Sequence, residues 1–257
     1  MTYTSPTVVT VPCLSGAPWD LGTLAALQNL DLRTFRLPDA PDTIEGYADD
    51  LAGRVADLDR YVLVGDSFGA IVALALAVRR PVGLAGLVIS GGFAADPVTN
   101  PVLRAKIKAA RWLPGPAYRQ FVLRAHAASL ASPHDRDGQQ PWTRADSRRL
   151  FANHTPHSVY VARTRAALAV DVRDRLHQIA VPTLVLTPSH DQLIGPDAAA
   201  HLVGAIPDAT EVVLPDTGHM FRFTHPTAYA SAIRAFLDRH HLTDSANAAE
   251  AHARSVR

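Results

Sequence analysis

A single cysteine, Cys13, stands among 257 residues. That excludes an internal disulfide framework and any multi-cysteine metal centre. No apolar run reaches about 18 residues, the length at which a membrane span becomes the default reading. The opening "MTYTSPTVVT" lacks the basic start and the long apolar core of a signal peptide. An excess of one charge is missing too: 25 basic residues stand against 24 acidic ones, mixed throughout, so no footprint for nucleic acid or an anionic membrane stands out. Nucleotide binding has no motif behind it, since there is neither a G-x-x-x-x-G-K-[ST] loop nor a G-x-G-x-x-G after the first strand. The 12 histidines include no H-E-x-x-H, leaving only pairs such as His154 with His157 as metal ligands, a pair that packing explains more simply. These absences predict a cytoplasmic protein with no metal and no cofactor. Its expected partner is a small-molecule substrate, with no nucleic acid and no membrane, and the oligomeric state stays open.

Apolar residues are what the sequence has in plenty, at 47%, enough for the core of one large domain. Short valine- and leucine-rich runs recur at "TVVTV" (Thr7 to Val11), "YVLVG" (Tyr61 to Gly65), "GLVIS" (Gly86 to Ser90), "TLVLT" (Thr183 to Thr187) and "EVVLP" (Glu211 to Pro215), with "LRTFRL" (Leu32 to Leu37) a weaker sixth. Continuous rather than alternating apolarity suits parallel strands covered on both faces. Helical stretches lie between them. Over Asp42 to Leu58, Asp42 and Glu45 have the spacing of a capping box, and after Pro226 the residues Tyr229, Ile233, Phe236 and Leu237 form one apolar stripe. Strand and helix in alternation predict a doubly wound, mostly parallel α/β sheet. Residues 96–179 break the rhythm: they read as proline-punctuated helices inserted into a core of residues 1–95 and 180–241. Residues 242–257, polar and alanine-rich, read as a flexible tail.

The stretch "YVLVGDSFGAIVALALA" sets Ser67 between Gly65 and Gly69, after one buried run and before another. A serine hydroxyl is a weak nucleophile unless it is exposed, beside a base and near donors for an oxyanion. A G-x-S-x-G turn from strand to helix supplies the exposure, and the glycines are needed because a Cβ at either place would collide with the neighbouring strand or helix. The motif alone recurs by chance, and the strand before it with the helix after it gives it weight. Two loops after later strands carry the remaining residues: "TPSHDQLIGPD" with Asp191, and "DTGHM" with His219. In an open α/β sheet the ends of those strands share one rim. Asp197, which also suits a helix cap, and Asp216 are the competing acids.

"GDSFGA", "TPSHDQLIGPD" and "DTGHM" resemble the three signature loops of the α/β-hydrolase superfamily, and the chain order Ser67, Asp191, His219 is the order of its triad. The resemblance runs from Thr7 to about Arg239. It implies that the insertion is the superfamily's helical cap and that the chain, without an N-terminal strand pair, is similar to shorter members. It also implies an oxyanion hole in "VPCLSGAPWD", where Pro12 and Cys13 replace the usual His-Gly or Pro-Gly, with the N–H groups of Leu14 and Phe68 as donors. Aligning Ser15 and Gly16 with that pair instead makes Ala17 the donor. The activity implied is serine hydrolysis of a small or medium, largely apolar ester, thioester or related acyl compound. Similar proteins serve as carbon–carbon hydrolases, lyases, acyltransferases, haloperoxidases or small-molecule receptors, so those readings stay open. Serine at the elbow disfavours a dehalogenase, whose elbow carries aspartate. In the insertion, Trp112, Trp142 and Phe151 could line a lid, "HTPH" (His154 to His157) could line its inner face, and the arginines of Ala162 to Arg175 read as a solvated helix face from which one could reach a substrate carboxylate.

Overall fold

Strands that are apolar on both sides have to be buried on both sides, and the chain achieves this with one sheet whose pairings are all parallel among the described residues. The computed structural model describes residues 5–97, 101–110, 112–130, 132–136, 138–139 and 141–243. Strand β1 (Thr7–Val11) leads to α1 (Leu21–Ala26), β2 (Leu32–Thr34), α2 (Ile44–Val55), β3 (Tyr61–Asp66), α3 (Phe68–Ala77) and β4 (Leu84–Ser90). Helices α4 (Pro101–Ala110), α5 (Gly115–Leu130), α6 (Arg144–His154) and α7 (His157–Ala169) follow. The chain then returns to the sheet with β5 (Thr183–Pro188), α8 (Pro196–Ala205), β6 (Ala209–Leu214), α9 (Phe221–Thr224) and α10 (Pro226–Arg239).

The strand order is β2-β1-β3-β4-β5-β6. The chain runs outward from β1 in one direction to β2 and in the other to β3, so the switch point falls between β1 and β3, where an α/β sheet opens a crevice at its carboxyl edge. The loop after β1 and the turn after β3 both empty into that crevice. Alternation along each strand divides the core. Val8, Val62, Val64, Val88, Leu184 and Leu186 pack with Leu27 of α1 and Tyr229 and Ile233 of α10. Val9, Leu63, Leu87, Ile89 and Val185 face α2, α3 and α8 on the other side. Every residue of α3 is buried, which is why that helix has no polar face.

Several boundaries differ from the sequence expectation. Helix α2 is capped by Thr43, whose side chain accepts from the Gly46 N–H, and not by Asp42. Strand β2 stops at Thr34, because the Leu37 N–H turns to the Gly16 carbonyl at 3.0 Å and so leaves the ladder. Strand β6 starts at Ala209 and ends at Leu214, one residue before Pro215, which has no N–H to pair. Leu242, placed by the sequence in the tail, is buried in the α10 core, its N–H on the Leu237 carbonyl. The folded body therefore extends to Leu242, and residues 244–257 lie outside the described residues.

The tightest approach in the core is between α3 and β1. A Cβ on Gly69 would drive into the Val11 and Pro12 carbonyls, and one on Gly65 would meet the Gly69 carbonyl oxygen at 2.5 Å. Backbone on both sides cannot yield as a side chain can. Gly69→Ala is expected to destabilise the fold by about 3 kcal/mol, the upper range for overpacking, as a drop in the urea midpoint. Gly53→Ala, in α2 with open space around it, is expected to raise stability by about 0.5–1 kcal/mol through helix propensity.

Candidate active site

Ser67 stands at the junction of β3 and α3 with φ 54° and ψ −112°. That is a costly backbone conformation for a residue with a Cβ, and it persists only where the surroundings enforce it. Here the enforcement is visible: the Ser67 N–H donates to the Ser90 carbonyl of β4 at 2.8 Å, and the two flanking glycines let α3 close onto β1. The side chain makes no helix-capping hydrogen bond. Instead its Oγ lies 3.0 Å from His219 Nε2.

His219 follows β6 and is buried, and its Nδ1 lies 2.7 Å from Asp191 Oδ2. Asp191 lies in the loop after β5, where its other oxygen accepts the N–H groups of Leu193 at 2.8 Å and Ile194 at 2.9 Å. Burial alone would push this carboxyl up. The His219 ring and the two amides outweigh it and hold Asp191 below the ordinary carboxylate range. Asp191 thus stays ionised and suits accepting from Nδ1–H, the tautomer in which Nε2 turns a lone pair toward Ser67 Oγ. The rival acids are elsewhere. Asp197 occupies the first turn of α8, where Gly195 and not Asp197 is the N-cap, and exposed Asp216 pairs with His190 at 3.8 Å.

Two backbone N–H groups of residues that line the same cavity as Ser67, those of Leu14 and Phe68, find no acceptor among the described residues, whereas the Ala17 N–H is taken by Ser15 Oγ at 3.2 Å. The loop that holds Leu14 is fixed from outside by Arg163 of α7, whose side chain is 0% exposed. Its guanidinium donates to the carbonyls of Leu14 (3.0 Å), Leu37 (3.3 Å) and Pro38 (3.2 Å), to the Tyr47 hydroxyl (3.2 Å) and to Asp39 (3.4 Å). Gly16, at φ 72°, has no Cβ because the guanidinium occupies that space. Tyr47 in turn packs edge-on against Phe68 at 5.2 Å. One side chain therefore bears on both loops that carry the unpaired amides.

A second buried arginine, Arg222 of α9, bonds Asp66, the residue before Ser67, at 2.8 Å and Asp20 at 2.7 Å, between the rings of Phe223 (3.9 Å) and Trp19 (4.6 Å). Cys13 is buried nearby with its Sγ 3.3 Å from Ser15 Oγ. Burial and the Asp66 carboxylate push its thiol up, which keeps it protonated and unreactive. In front of Ser67 opens a cavity of about 1170 Å³, lined by Leu14, Phe68, Phe93, Leu130, Phe151 and Met220 among others.

The model of the alpha/beta hydrolase family matches residues 8–232. This chain belongs to that family. It is 30% identical over 217 residues to the protein named "Putative carbamate hydrolase RutD" of Caulobacter sp. (strain K31), covering 80% of this chain and 76% of that one. Among solved structures it is similar to the enol-lactonase of Burkholderia xenovorans LB400 (TM-score 0.75, 23% identity, 92% of each chain). It also resembles a thermophilic esterase of Thermogutta terrifontis (TM-score 0.73, 23% identity, 93% of this chain and 91% of that one). As a member of the alpha/beta hydrolase family with hydrolase relatives, the protein is an enzyme of the hydrolase class.

Against this family framework, the structure brings Ser67, His219 and Asp191 into one hydrogen-bonded line, and Leu14 and Phe68 line the same cavity as Ser67 and His219. The lid residues divide: Phe151 lines the cavity, Trp142 donates to Ser147 Oγ at 2.8 Å and packs on Phe223, and Trp112 is 76% exposed. His154 and His157 do not line the cavity, contrary to the inner-face expectation, because α6 and α7 turn their junction away from it. Sequence reasoning missed Arg163, which it read with its neighbours as solvated, and His126, which lines the cavity. It also missed a surface group, His134, His190 and Asp216, whose ligand atoms lie within 4.8 Å of one another. The two imidazoles stack 4.0 Å apart and nearly parallel. Lone pairs lying in parallel ring planes do not converge on one ion.

No helix among the described residues is long and apolar enough to cross a membrane. The test of the Arg163 anchor is a comparison of two nearby arginines. Arg163→Lys keeps the charge but cannot span three carbonyls and a phenol, and is expected to cost about 3 kcal/mol, the scale for breaking a buried charged network. Arg165→Lys, on the exposed face of α7, is expected to change stability by less than about 0.5 kcal/mol. Hydrogen exchange over residues 13–17 should speed up in the first variant and not in the second.

Proposed function

We propose that the protein is a serine hydrolase that cleaves a small or medium, largely apolar ester, thioester or related acyl compound through an acyl-enzyme on Ser67, needing no cofactor. The observation that carries this reading is the unbroken line of hydrogen bonds from Ser67 Oγ through His219 to Asp191, at 3.0 and 2.7 Å, opening on an apolar cavity.

In this mechanism Ser67 Oγ attacks the acyl carbon as its proton passes to His219 Nε2. The carbonyl electron pair moves onto oxygen, and the Leu14 and Phe68 N–H groups receive that oxyanion. Asp191 holds the Nδ1–H tautomer and stabilises the imidazolium formed. Collapse of the intermediate breaks the bond to the leaving group, which takes the proton from Nε2. Water, deprotonated by His219, then releases the acid by the same steps in reverse roles. Donors that have no acceptor in the resting protein suit this role, since they need not break a bond to meet the transition state.

Residues 96–179 act as a cap in this reading. They contribute Leu130, Phe151 and Tyr160 to the cavity wall and so shield the apolar part of a bound acyl group from bulk solvent. The RutD relatives bear the name of carbamate hydrolases. A carbamate offers the same kind of acyl carbon, and the same residues could cleave it. The size and apolar lining of the cavity favour an ester with a longer apolar arm.

A fluorophosphonate probe tests the engine without the true substrate. Peptide mapping is expected to find rapid labelling confined to Ser67 and abolished in Ser67→Ala and His219→Ala. Asp191→Asn is expected to fold normally and to lower kcat/KM on a chromogenic ester by about 10³–10⁴-fold, through the wrong His219 tautomer. Folded protein that does not label, or full esterase activity in Ser67→Ala, would sink the mechanism.

A further inference from the structure

His126 of α5 is a polar side chain in an apolar wall. It packs at 4.8 Å on Phe151, within the cluster of Leu130, Met220 and Phe223 that closes the cavity beside His219. Its Nδ1 lies 2.7 Å from the Tyr160 hydroxyl. No described residue takes its Nε2, and the ring borders the cavity. A phenylalanine would pack there as well without the cost of desolvating an imidazole, so packing does not account for the choice of residue.

We propose that His126 and Tyr160 form a hydrogen-bonding subsite of the cavity, in which His126 Nε2–H donates to a neutral acceptor oxygen of the substrate, a carbonyl, ether or hydroxyl, remote from the bond being cleaved. This rests on the reading of Ser67 as the nucleophile, and it narrows the substrate from an apolar acyl compound to one with a second oxygen function.

In this subsite the bond between the two side chains runs from tyrosine to histidine. Burial pushes the Tyr160 hydroxyl well above its ordinary value, so it keeps its proton, and with Thr164 as its other hydrogen-bond partner the subsite directs that proton to Nδ1. A neutral imidazole has one proton, which then sits on Nε2 and points away from the tyrosine. The ring is neutral for two reasons: burial, and the charge that His219 takes up, together push His126 down to about 4. A second imidazolium there would oppose the one formed on His219 during catalysis. A neutral donor also discriminates against anions, since a substrate carboxylate at this point would give up its hydration for one uncharged hydrogen bond.

The test uses fluorophosphonates whose alkoxy arms match in length and differ only in whether one methylene is replaced by an ether oxygen, the oxygen stepped along the arm. In the wild type, one oxygen position is expected to label Ser67 about tenfold faster than its all-carbon partner, the scale of one buried hydrogen bond. His126→Phe preserves the ring and is expected to erase the preference, bringing each ether probe to within about twofold of its all-carbon partner. Tyr160→Phe frees the tautomer and is expected to reduce the preference without erasing it. Uniform labelling along the series, or a preference that survives His126→Phe, overturns the subsite and leaves the nucleophile standing. Failure of every probe to label Ser67 overturns the nucleophile and the subsite together.

Discussion

The Arg163 guanidinium is the point on which the active-site loops hang. It sits with no exposure to solvent, and its one anionic contact among the described residues is Asp39 at 3.4 Å, itself 45% exposed. A charge so placed is costly unless oxygen dipoles surround it, and four surround it here: three backbone carbonyls and a phenol. Each of those carbonyls belongs to a segment with no regular structure of its own, either the loop after β1 or the stretch after β2. Without the guanidinium these segments would bury unpaired acceptors. With it, they are fixed to the same helix, and Leu14 acquires a set position relative to Ser67.

Arg222 does for the other side of the elbow what Arg163 does for the first loop. It ties Asp66, one residue before Ser67, to Asp20 at the start of α1, and Phe223 and Trp19 shield it from solvent. Asp66 and Arg222 are both buried. The pair ties the strained turn to α9, which begins two residues after His219. Ser67 at positive φ is thus bounded by a neutralised pair on one side and by the glycine contact of α3 with β1 on the other. Neither could relax without moving the sheet.

Much of this was legible in the sequence because its cause is local. The runs from Thr7 and Tyr61 are continuous because both faces are covered, Gly65 and Gly69 are where backbones touch, and Ser67, Asp191 and His219 follow strands that end on one rim. What was not legible depends on contacts between distant segments. Arg163 sits among other arginines on α7, and its neighbour Arg165 is exposed. Only the crossing of α7 over the loop after β1 separates the two, and nothing in their spacing records it. The cap of α2 was missed for a smaller reason: Asp42 and Thr43 are both good caps, and the backbone turns one residue later than the acid spacing suggested. His126 was invisible because the insertion has no strand to set its register.

The position of Arg163 also bears on how this enzyme can vary. Members of a fold commonly keep a rigid catalytic core and change selectivity through loops and insertions, which requires the two to be separable. Here they are not fully so. Helix α7 of the insertion carries Tyr160, which faces the cavity, and Arg163, which holds the Leu14 loop from a neighbouring position on the same helix, three residues on. Residues three apart on a helix lie about 60° short of a full circle and about 4.5 Å along the axis, so rotating or shifting α7 to reshape the pocket would pull the guanidinium off its carbonyls. Selectivity can change more freely by substitution on α5 and α6, which contribute His126, Leu130, Leu150 and Phe151 to the cavity wall and do not hold the Leu14 loop through Arg163. Changes to the path of α7 have to preserve the distance from Arg163 to the Leu14 carbonyl, because the cavity wall and the anchor of the candidate oxyanion loop are there the same piece of backbone.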